Sequence, residues 1–376
     1  MLRPLGHASA PCLREHAVDM NLLKQDLDAA VARRAERERA CLQPGTALVA
    51  LKQKGGGRAS AAAGFGGGGG SAPKSSKKKK GNSQANKRPS APMSTLASEL
   101  KSAGVVRIDG GLTAETADAL REFVDTERVS ARAEVDAGTR PLDSRFADLV
   151  LIEKRCDLLL PLRGPVLAAL DELLGQGSVL GDLLEEVVGA GATFNELACL
   201  ISEPGSQQQP IHPDTPFTSR PPLYAAFVAL QDVELDMGPT VYLPGTHSKA
   251  EHTIFYGGDL SRGTDANGQR TNPVNEEYLG SRTVKLGLLK KGDVALYNQQ
   301  VLHCGSANES EERVRRQFYV SVRDTSVKGV RARASIRPAL LNKLTLGEVR
   351  EELATIRKGG TPERFEALDT MDAAVE

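Results

Sequence analysis

Two histidines and one aspartate in this sequence have the residue types and the spacing of a metal site. His212 and Asp214 stand two positions apart, and His303 follows much later in the chain. On an extended strand, residues two apart project from the same face, so His212 and Asp214 could bind one ion together. Two imidazoles and one carboxylate on one face of a metal leave the opposite face open, as in non-haem Fe(II) oxygenases. These residues therefore predict an Fe(II) centre that admits a co-substrate and O2.

Strands are expected to hold these donors. The apolar segment Phe194–Ile201 is strand-like, and Glu203–Gly205 breaks it before His212. Upstream of His303, the segment Gly292–Asn298 alternates apolar and other residues, as a half-buried strand does. We therefore expect all three candidate ligands to lie on or beside strands.

A cluster of arginines follows the second histidine. Arg313, Arg315 and Arg316 precede Gln317–Val322, which is another strand-like segment. Oxygenases of this kind commonly use 2-oxoglutarate, whose far carboxylate suits the planar, permanently charged guanidinium better than an ammonium. We expect one of these arginines to point inward and at least one other to be solvated.

The stretch from about Asn195 to Val322 resembles the phytanoyl-CoA dioxygenase family of Fe(II)/2-oxoglutarate oxygenases. Four pieces match the family in content, order and spacing: His212–Asp214, Met237–His247, Gly292–Val294, and His303–Asn308 with the Arg-Arg pair that follows. The resemblance implies a mainly β fold with helical additions. Its core, at about residues 190–325, would be a double-stranded β-helix, or cupin-like jelly roll, buttressed by α-helices.

The resemblance also assigns roles to individual residues. It implies that His212, Asp214 and His303 are the catalytic iron ligands and that Arg315 binds 2-oxoglutarate. Arg316 is the alternative anchor, because a one-residue slip of a strand turns every side chain to the other face.

Three further positions bear on the comparison with the family. Phe227 stands where the family often has a tryptophan that lines the co-substrate pocket, and Gly305 stands where some members have a serine that bonds the co-substrate. Relatives that halogenate replace the metal-binding carboxylate with a small residue to admit a halide. Asp214 is retained here, so the sequence favours hydroxylation.

Segments outside these motifs predict supporting elements. Val105–Asp109 reads as a strand, and a helix is expected from Thr113 to about Ala131. Apolar residues at helical spacing predict helices over Leu158–Leu174 and Leu180–Val188.

Segments near the ligands are expected to shape the substrate pocket. Gln207–Gln209 and Thr215–Phe217 flank the ligands and are expected to line it. The polar, glycine-rich stretch Thr253–Thr283 is expected to be either a substrate-covering loop or a disordered insertion.

Composition divides the 376 residues into three parts. Residues 1–93 contain the runs Gly66–Gly70 and Lys77–Lys80 and cannot bury a core, so we expect a disordered, basic and glycine-rich region with a possible targeting role. Residues 94–335 would form the dioxygenase domain, and 336–376 a helical tail.

The net charge of zero hides an excess of basic residues before position 94, with 17 Lys and Arg against 6 Asp and Glu. A solvated linker explains this excess better than nucleic-acid binding, because aromatic residues that could stack on bases are nearly absent there.

Targeting signals and cysteines predict an intracellular protein, either cytoplasmic or organellar. The first 14 residues carry Arg3 and Arg14 and no acid, as a transit peptide does, and Lys77–Lys80 with Lys87 and Arg88 resembles a nuclear signal. No apolar stretch approaches the length of a transmembrane segment. Five cysteines without a C-x-x-C motif fit a reducing compartment.

Together these features predict a 2-oxoglutarate-dependent enzyme that hydroxylates a small organic substrate. The co-substrate would be decarboxylated to succinate and CO2. One alternative is a catalytically silent jelly roll that binds metal or a partner as a sensor or scaffold. Another is a cupin-like isomerase or a cofactor-free binding module, whose behaviour would be indifferent to 2-oxoglutarate and to substitution of Arg315.

Overall fold

The computed structural model describes residues 93–147, 154–209, 211–256, 263–264, 270–271, 280–330 and 332–373. Its helices there are α1 (Met93–Ala103), α2 (Ala114–Asp136), α3 (Leu142–Arg145), α4 (Pro165–Leu174), α5 (Val179–Val188), α6 (Lys249–Phe255), α7 (Leu346–Arg357) and α8 (Glu363–Ala373). Its strands are β1 (Val105–Ile108), β2 (Arg155–Leu159), β3 (Thr193–Ser202), β4 (Leu223–Ala229), β5 (Thr240–Tyr242), β6 (Gly263–Thr264), β7 (Arg270–Thr271), β8 (Lys285–Leu286), β9 (Val294–Asn298), β10 (His303–Gly305) and β11 (Arg315–Arg323).

Two antiparallel sheets form the core. The larger sheet has the strand order β1-β9-β4-β11-β3-β2, and the smaller has the order β10-β5-β8. The sheets pack against each other, since the rings of Tyr242 on β5 and Tyr297 on β9 lie 5.2 Å apart. This arrangement confirms the predicted jelly roll with helical additions.

The two faces of the larger sheet bury different kinds of residue. On β11, Phe318 and Val320 pack with the helices in the main apolar core. The alternate residue Tyr319 packs with the smaller sheet in a second apolar cluster. Because side chains alternate along a strand, Arg315 projects from the same inner face of the sheet as Tyr319. The sheet therefore carries polar side chains on its inner face.

The predicted helix over Leu158–Leu174 is wrong in its first part. Arg155–Leu159 forms strand β2, which pairs with β3. The helix begins only at Pro165, after Gly164 with φ of 54°. A short leucine-rich run fits the periodicity of a helix as well as that of a strand, so pairing with a neighbouring strand decides its structure.

The C-terminal helices belong to the same core as the sheet. Leu346 and Leu353 of α7 and Phe365 of α8 are buried in the main apolar cluster. Buried Arg337 donates to Glu127 and Asp372, which ties this region to α2.

Some sequence predictions lie outside the described residues. They include the N-terminal runs of glycine and lysine and most of the stretch Thr253–Thr283. Among the helices that the structure describes, none is both long and apolar enough to cross a membrane.

Candidate metal and co-substrate site

The three predicted metal ligands lie together at the mouth of the jelly roll. One ligand atom from each of His212, Asp214 and His303 lies within 4.8 Å of the other two. The two Asp214 carboxylate oxygens are each 3.6 Å from one histidine Nε2, Oδ1 from His212 and Oδ2 from His303. These separations exceed a normal hydrogen bond, so the donor atoms converge without closing the space between them.

Backbone pairing brings the two imidazoles side by side. The His212 N–H donates to the His303 carbonyl at 3.0 Å, and the His303 N–H donates to the His212 carbonyl at 2.9 Å. The two ring centroids are 4.7 Å apart as a result. Asp214 is fixed separately, because its N–H donates to the Gln299 carbonyl at 2.9 Å. Two backbone anchors thus hold all three donors in place.

Side-chain contacts orient the donors further. The Nδ1 of His303 lies 2.9 Å from the Val301 carbonyl, which can only accept, so Nδ1 carries the proton and Nε2 presents its lone pair. The Tyr297 hydroxyl donates to Asp214 Oδ2 at 3.0 Å. Such outer contacts set the direction and basicity of metal ligands.

The charge states of the donors also suit a metal. Burial alone would raise the pKa of Asp214, but His303, His212 and Tyr297 outweigh it and the pKa is lowered. Burial lowers the pKa of His303, against the opposing effect of Asp214. A carboxylate beside a neutral imidazole is the form in which these side chains ligate metals.

Arg315 is the arginine that points into the jelly roll. Its side chain is 0% exposed, and its Nη2 donates to the Ser202 hydroxyl at 3.1 Å. Its Nε and Nη1 find no acceptor among the described residues. Burial, reinforced by nearby Arg155, lowers the pKa of Arg315 to about 9, which still leaves it charged at neutral pH. A buried cation with unused donors is costly unless an anion joins it.

Arg316 and Arg313 lie outside this cavity and already have carboxylate partners. Arg316 Nε donates to Asp125 Oδ1 at 2.7 Å, on the face of the sheet opposite to Arg315. Arg313 pairs with Asp236 in an exposed contact. Strand alternation separates Arg315 from its neighbour, so only Arg315 of the three presents free donors inward.

A second buried arginine, Arg155, was missed by the sequence reasoning. Arg155 on β2 and Arg315 on β11 both pair with Ser202 of β3, so the three residues form one row across the sheet. The Nη2 of Arg155 donates to the carbonyls of Gln207 and Ser306, while its Nε and Nη1 have no acceptor among the residues described. Burial lowers the pKa of Arg155 to about 10. Arg155 could have been noticed because it stands just before the leucines at 158–160, but those leucines were assigned to a helix instead of strand β2.

The cavity between these groups has a mixed polar and aromatic lining. Phe227 lines it, with its ring 5.1 Å from Tyr319 and 5.5 Å from Tyr297. Of the segments expected to line the substrate pocket, Gln209 borders this cavity. The lining residues are Asp157, Glu196, Leu200, Gln209, His212, Asp214, Phe227, Thr240, Tyr297, His303, Gly305 and Tyr319.

Gly305 leaves space that two polar side chains use. A Cβ at this position would lie 2.7 Å from Gln209 Oε1 and 3.0 Å from Arg155 Nη1. The Gly305 N–H donates to that same Gln209 oxygen at 3.0 Å. The glycine that departs from the family's serine therefore makes room for Gln209 and Arg155.

Two other histidines are structural. The Nε2 of His247 lies 3.1 Å from the Lys101 carbonyl, and that of His252 lies 2.7 Å from the Gln300 carbonyl. Neither belongs to the group of donors formed by His212, Asp214 and His303.

Comparison with known proteins gave one family and several solved structures. The family model described as phytanoyl-CoA dioxygenase (PhyH) matches residues 100–317. AviO1 from Streptomyces viridochromogenes Tue57 is 16% identical, with a TM-score of 0.44 over 65% of this chain and 100% of that one. HygX from Streptomyces hygroscopicus, solved with nickel and 2-oxoglutarate bound, is 16% identical, with a TM-score of 0.42 over 66% and 97%. The non-heme alpha ketoglutarate dependent carbocyclase SnoK from nogalamycin biosynthesis is 18% identical, with a TM-score of 0.42 over 65% and 87%. No curated protein gave a significant match.

Proposed function

Because the chain belongs to the phytanoyl-CoA dioxygenase family of Fe(II)/2-oxoglutarate oxygenases, we propose that it hydroxylates a small organic substrate. 2-Oxoglutarate and O2 would be consumed, and succinate and CO2 released with the hydroxylated product. The observation that carries the proposal is the convergence of His212, Asp214 and His303 in a cavity that shares its inner sheet face with Arg315.

His212, Asp214 and His303 are the residues that would hold Fe(II). The fit rests on the donor set, since two imidazoles and one carboxylate suit Fe(II) and leave coordination positions for reagents. Bound Fe(II) supplies the oxidising chemistry with O2 that attacks a C–H bond. The protein's share is to orient the ligands, through Tyr297 and the Val301 carbonyl, and to limit the access of water.

Arg315 would bind the far carboxylate of 2-oxoglutarate. Its unused Nε and Nη1 donors are the buried polar atoms that a carboxylate would satisfy. Arg155 would add a second positive charge at the same end, and Gln209 would take the place of the family's serine. Phe227 would line the co-substrate pocket between them and the metal ligands.

The retained carboxylate of Asp214 favours hydroxylation over halogenation. A halide would need the coordination position that Asp214 supplies. With that position filled by protein, hydroxyl transfer to the substrate is the outcome we propose.

The division of the chain stays a prediction of the sequence. We assign residues 94–335 to the dioxygenase domain, 336–376 to a helical tail that packs into the same core, and 1–93 to a separate N-terminal region. An intracellular location, cytoplasmic or organellar, is likewise proposed from the N-terminal sequence.

Three measurements on the full-length protein test this function. Anaerobic addition of Fe(II) and 2-oxoglutarate should produce the visible charge-transfer band of the chelate, and Asp214→Ala should abolish it. Asp232→Asn, which alters an exposed acid outside the cavity, is the matched control. Under air, a metabolite library should reveal compounds that stimulate succinate release, with 18O from O2 entering the product. A charge-transfer band without any succinate would instead identify a catalytically silent metal-binding protein.

A further inference from the structure

Two carboxyl groups besides that of Asp214 line the cavity. Asp157 lies on β2 and Glu196 on β3, and both are on the inner face of the larger sheet. Asp157 is 2% exposed. The two groups are near enough that each raises the pKa of a common neighbour, Tyr319, and Asp157 also raises that of Glu196.

Neither carboxyl group has a cationic partner. Asp157 Oδ2 accepts from the Tyr319 hydroxyl at 2.7 Å, and hydrogen bonding from Ser335 also acts to lower the pKa of Asp157. Glu196 Oε2 accepts from Gln299 Nε2 at 2.7 Å. Within the described part of the chain, no arginine, lysine or histidine forms an ion pair with either group. Buried carboxylates are ordinarily paired with a cation, so this arrangement lacks one component.

The acidic groups around the cavity outnumber the basic ones by one, when all of them are ionised. Three acids line the cavity, Asp157, Glu196 and Asp214, and two buried cations, Arg155 and Arg315, share the same inner face of the sheet. Fe(II) and doubly charged 2-oxoglutarate cancel each other, so loading the site would leave the excess unchanged. A ligand with one positive charge would neutralise it.

In the free protein, protons can take the place of that cation. Burial, strengthened by Asp214, raises the pKa of Glu196 to about 8, and burial raises the pKa of Asp157 to about 6. A carboxylic acid that is protonated for lack of a counter-charge becomes a carboxylate again when a cation binds beside it.

The aromatic part of the lining also favours a cation. Phe227, Tyr297 and Tyr319 border the same cavity as the two acids. The faces of such rings attract ammonium and guanidinium groups, most strongly where water is excluded.

We propose that the primary substrate carries a basic nitrogen, an ammonium or guanidinium group, which binds between Glu196, Asp157 and the aromatic wall. This inference rests on the proposed function, because it names the substrate class of the same site. It places the charged end of the substrate at Glu196, which lines the same cavity as Asp214.

Matched small probes test the inference without a known substrate. n-Butylammonium, n-butanol and butyrate have similar shapes and differ in charge. Their binding to the full-length protein, free and loaded anaerobically with Fe(II) and 2-oxoglutarate, is measured by calorimetry and ligand-observed NMR. We expect n-butylammonium to bind at least about tenfold more tightly than n-butanol, and butyrate to bind the loaded protein weakest.

Variants locate the preference. Glu196→Gln should remove the preference for the ammonium, and Asp157→Asn should reduce it. Glu186→Gln, an exposed acid on α5, should leave it intact. Each variant is checked for the charge-transfer band, so that a misfolded protein is not mistaken for a selective loss.

The outcomes separate the two proposals. Equal affinity for the ammonium and the alcohol, or a preference that survives in both Glu196→Gln and Asp157→Asn, overturns the cationic substrate while the charge-transfer band keeps the proposed function. Absence of the band in the unaltered protein refutes the proposed function, whereas the ammonium preference of the metal-free protein still tests the inference.

Discussion

Replacing Arg315 should have opposite effects on the free protein and on co-substrate binding. Arg315→Met removes a fully buried guanidinium whose Nε and Nη1 have no acceptor in the described part of the chain. An unsatisfied buried donor costs roughly 1–3 kcal/mol. After loss of the single bond to Ser202, we expect the free protein to gain about 1–3 kcal/mol of unfolding free energy, because methionine adapts its shape to apolar space.

The same substitution should weaken 2-oxoglutarate binding strongly. Loss of one partner from a buried, charge-assisted contact costs about 2–5 kcal/mol. Arg155 remains in the same row and retains part of the attraction, so we expect about 2–3 kcal/mol, or an increase in KM of about 30- to 150-fold. A variant that is more stable alone yet poorer with its co-substrate would identify Arg315 as a ligand-binding residue.

Thermal unfolding and succinate release measure the two effects. Melting curves are recorded with and without 2-oxoglutarate in the presence of Fe(II) under nitrogen, and KM is taken from succinate formation with a substrate identified by screening. Arg316→Met is the control, since its ion pair with Asp125 is outside the cavity and surface pairs contribute at most about 1 kcal/mol. The reasoning fails if Arg315→Met leaves the co-substrate KM unchanged, or if Arg316→Met raises it as much.

Further substitutions at Tyr297, Gly305 with Gln209, and Glu127 test other parts of the site and fold. Tyr297→Phe removes the hydrogen bond to Asp214 and should weaken Fe(II) binding about tenfold in anaerobic titration; unchanged affinity would exclude an orienting role. Gly305→Ser should raise the 2-oxoglutarate KM because the added side chain displaces Gln209 and Arg155. Adding Gln209→Ala to this variant should lower the KM part of the way back. Additive effects of the two substitutions in a double-mutant cycle would contradict this. Glu127→Gln should cost about 1.5–3 kcal/mol in urea unfolding by removing the charge that Arg337 and Arg145 share, which leaves them Asp372 and Glu134, with exposed Glu122→Gln as control. Burial acts to raise the pKa of Glu127, but Arg337 and Arg145 lower it overall, so its contribution is complete above the unfolded pKa and disappears as the pH falls through the lower folded value; an equal deficit at every acidic pH would refute that assignment.

The sequence predicted that His212, Asp214 and His303 lie together, and the structure brings them together. Residues two apart share a strand face, so His212 and Asp214 were expected to converge. The choice between Arg315 and Arg316 needed the strand register, because the sequence alone is compatible with either side chain facing the inside of the jelly roll. Pairing of β11 with β3 puts Arg315 opposite Ser202 and settles which side chain is inside.

Arg155 and Asp157 could not be predicted in the same way. Their segment is followed by leucines that fit a helix as well as a strand, and its partner β3 lies far along the sequence. That Thr215–Phe217 lines the substrate pocket stays a prediction. The N–H groups of Asp214 and Thr215 both donate to the Gln299 carbonyl, which lies far along the sequence. Contacts across the barrel, rather than local pattern, decide these positions.

Strand β3 shows how one strand could orient two ligands of opposite charge. Ser202 stands in the row of Arg155 and Arg315, while Glu196 stands six residues away on the same inner face, about 20 Å along an extended strand. Burial raises the pKa of Tyr242, and both Arg315 and Asp214 act on that pKa, so Tyr242 lies near both groups. An anionic co-substrate would therefore approach the ligands from the arginine end and a cationic substrate from the glutamate end. Since each end repels the other ligand, the cavity would exclude the reversed arrangement by charge alone.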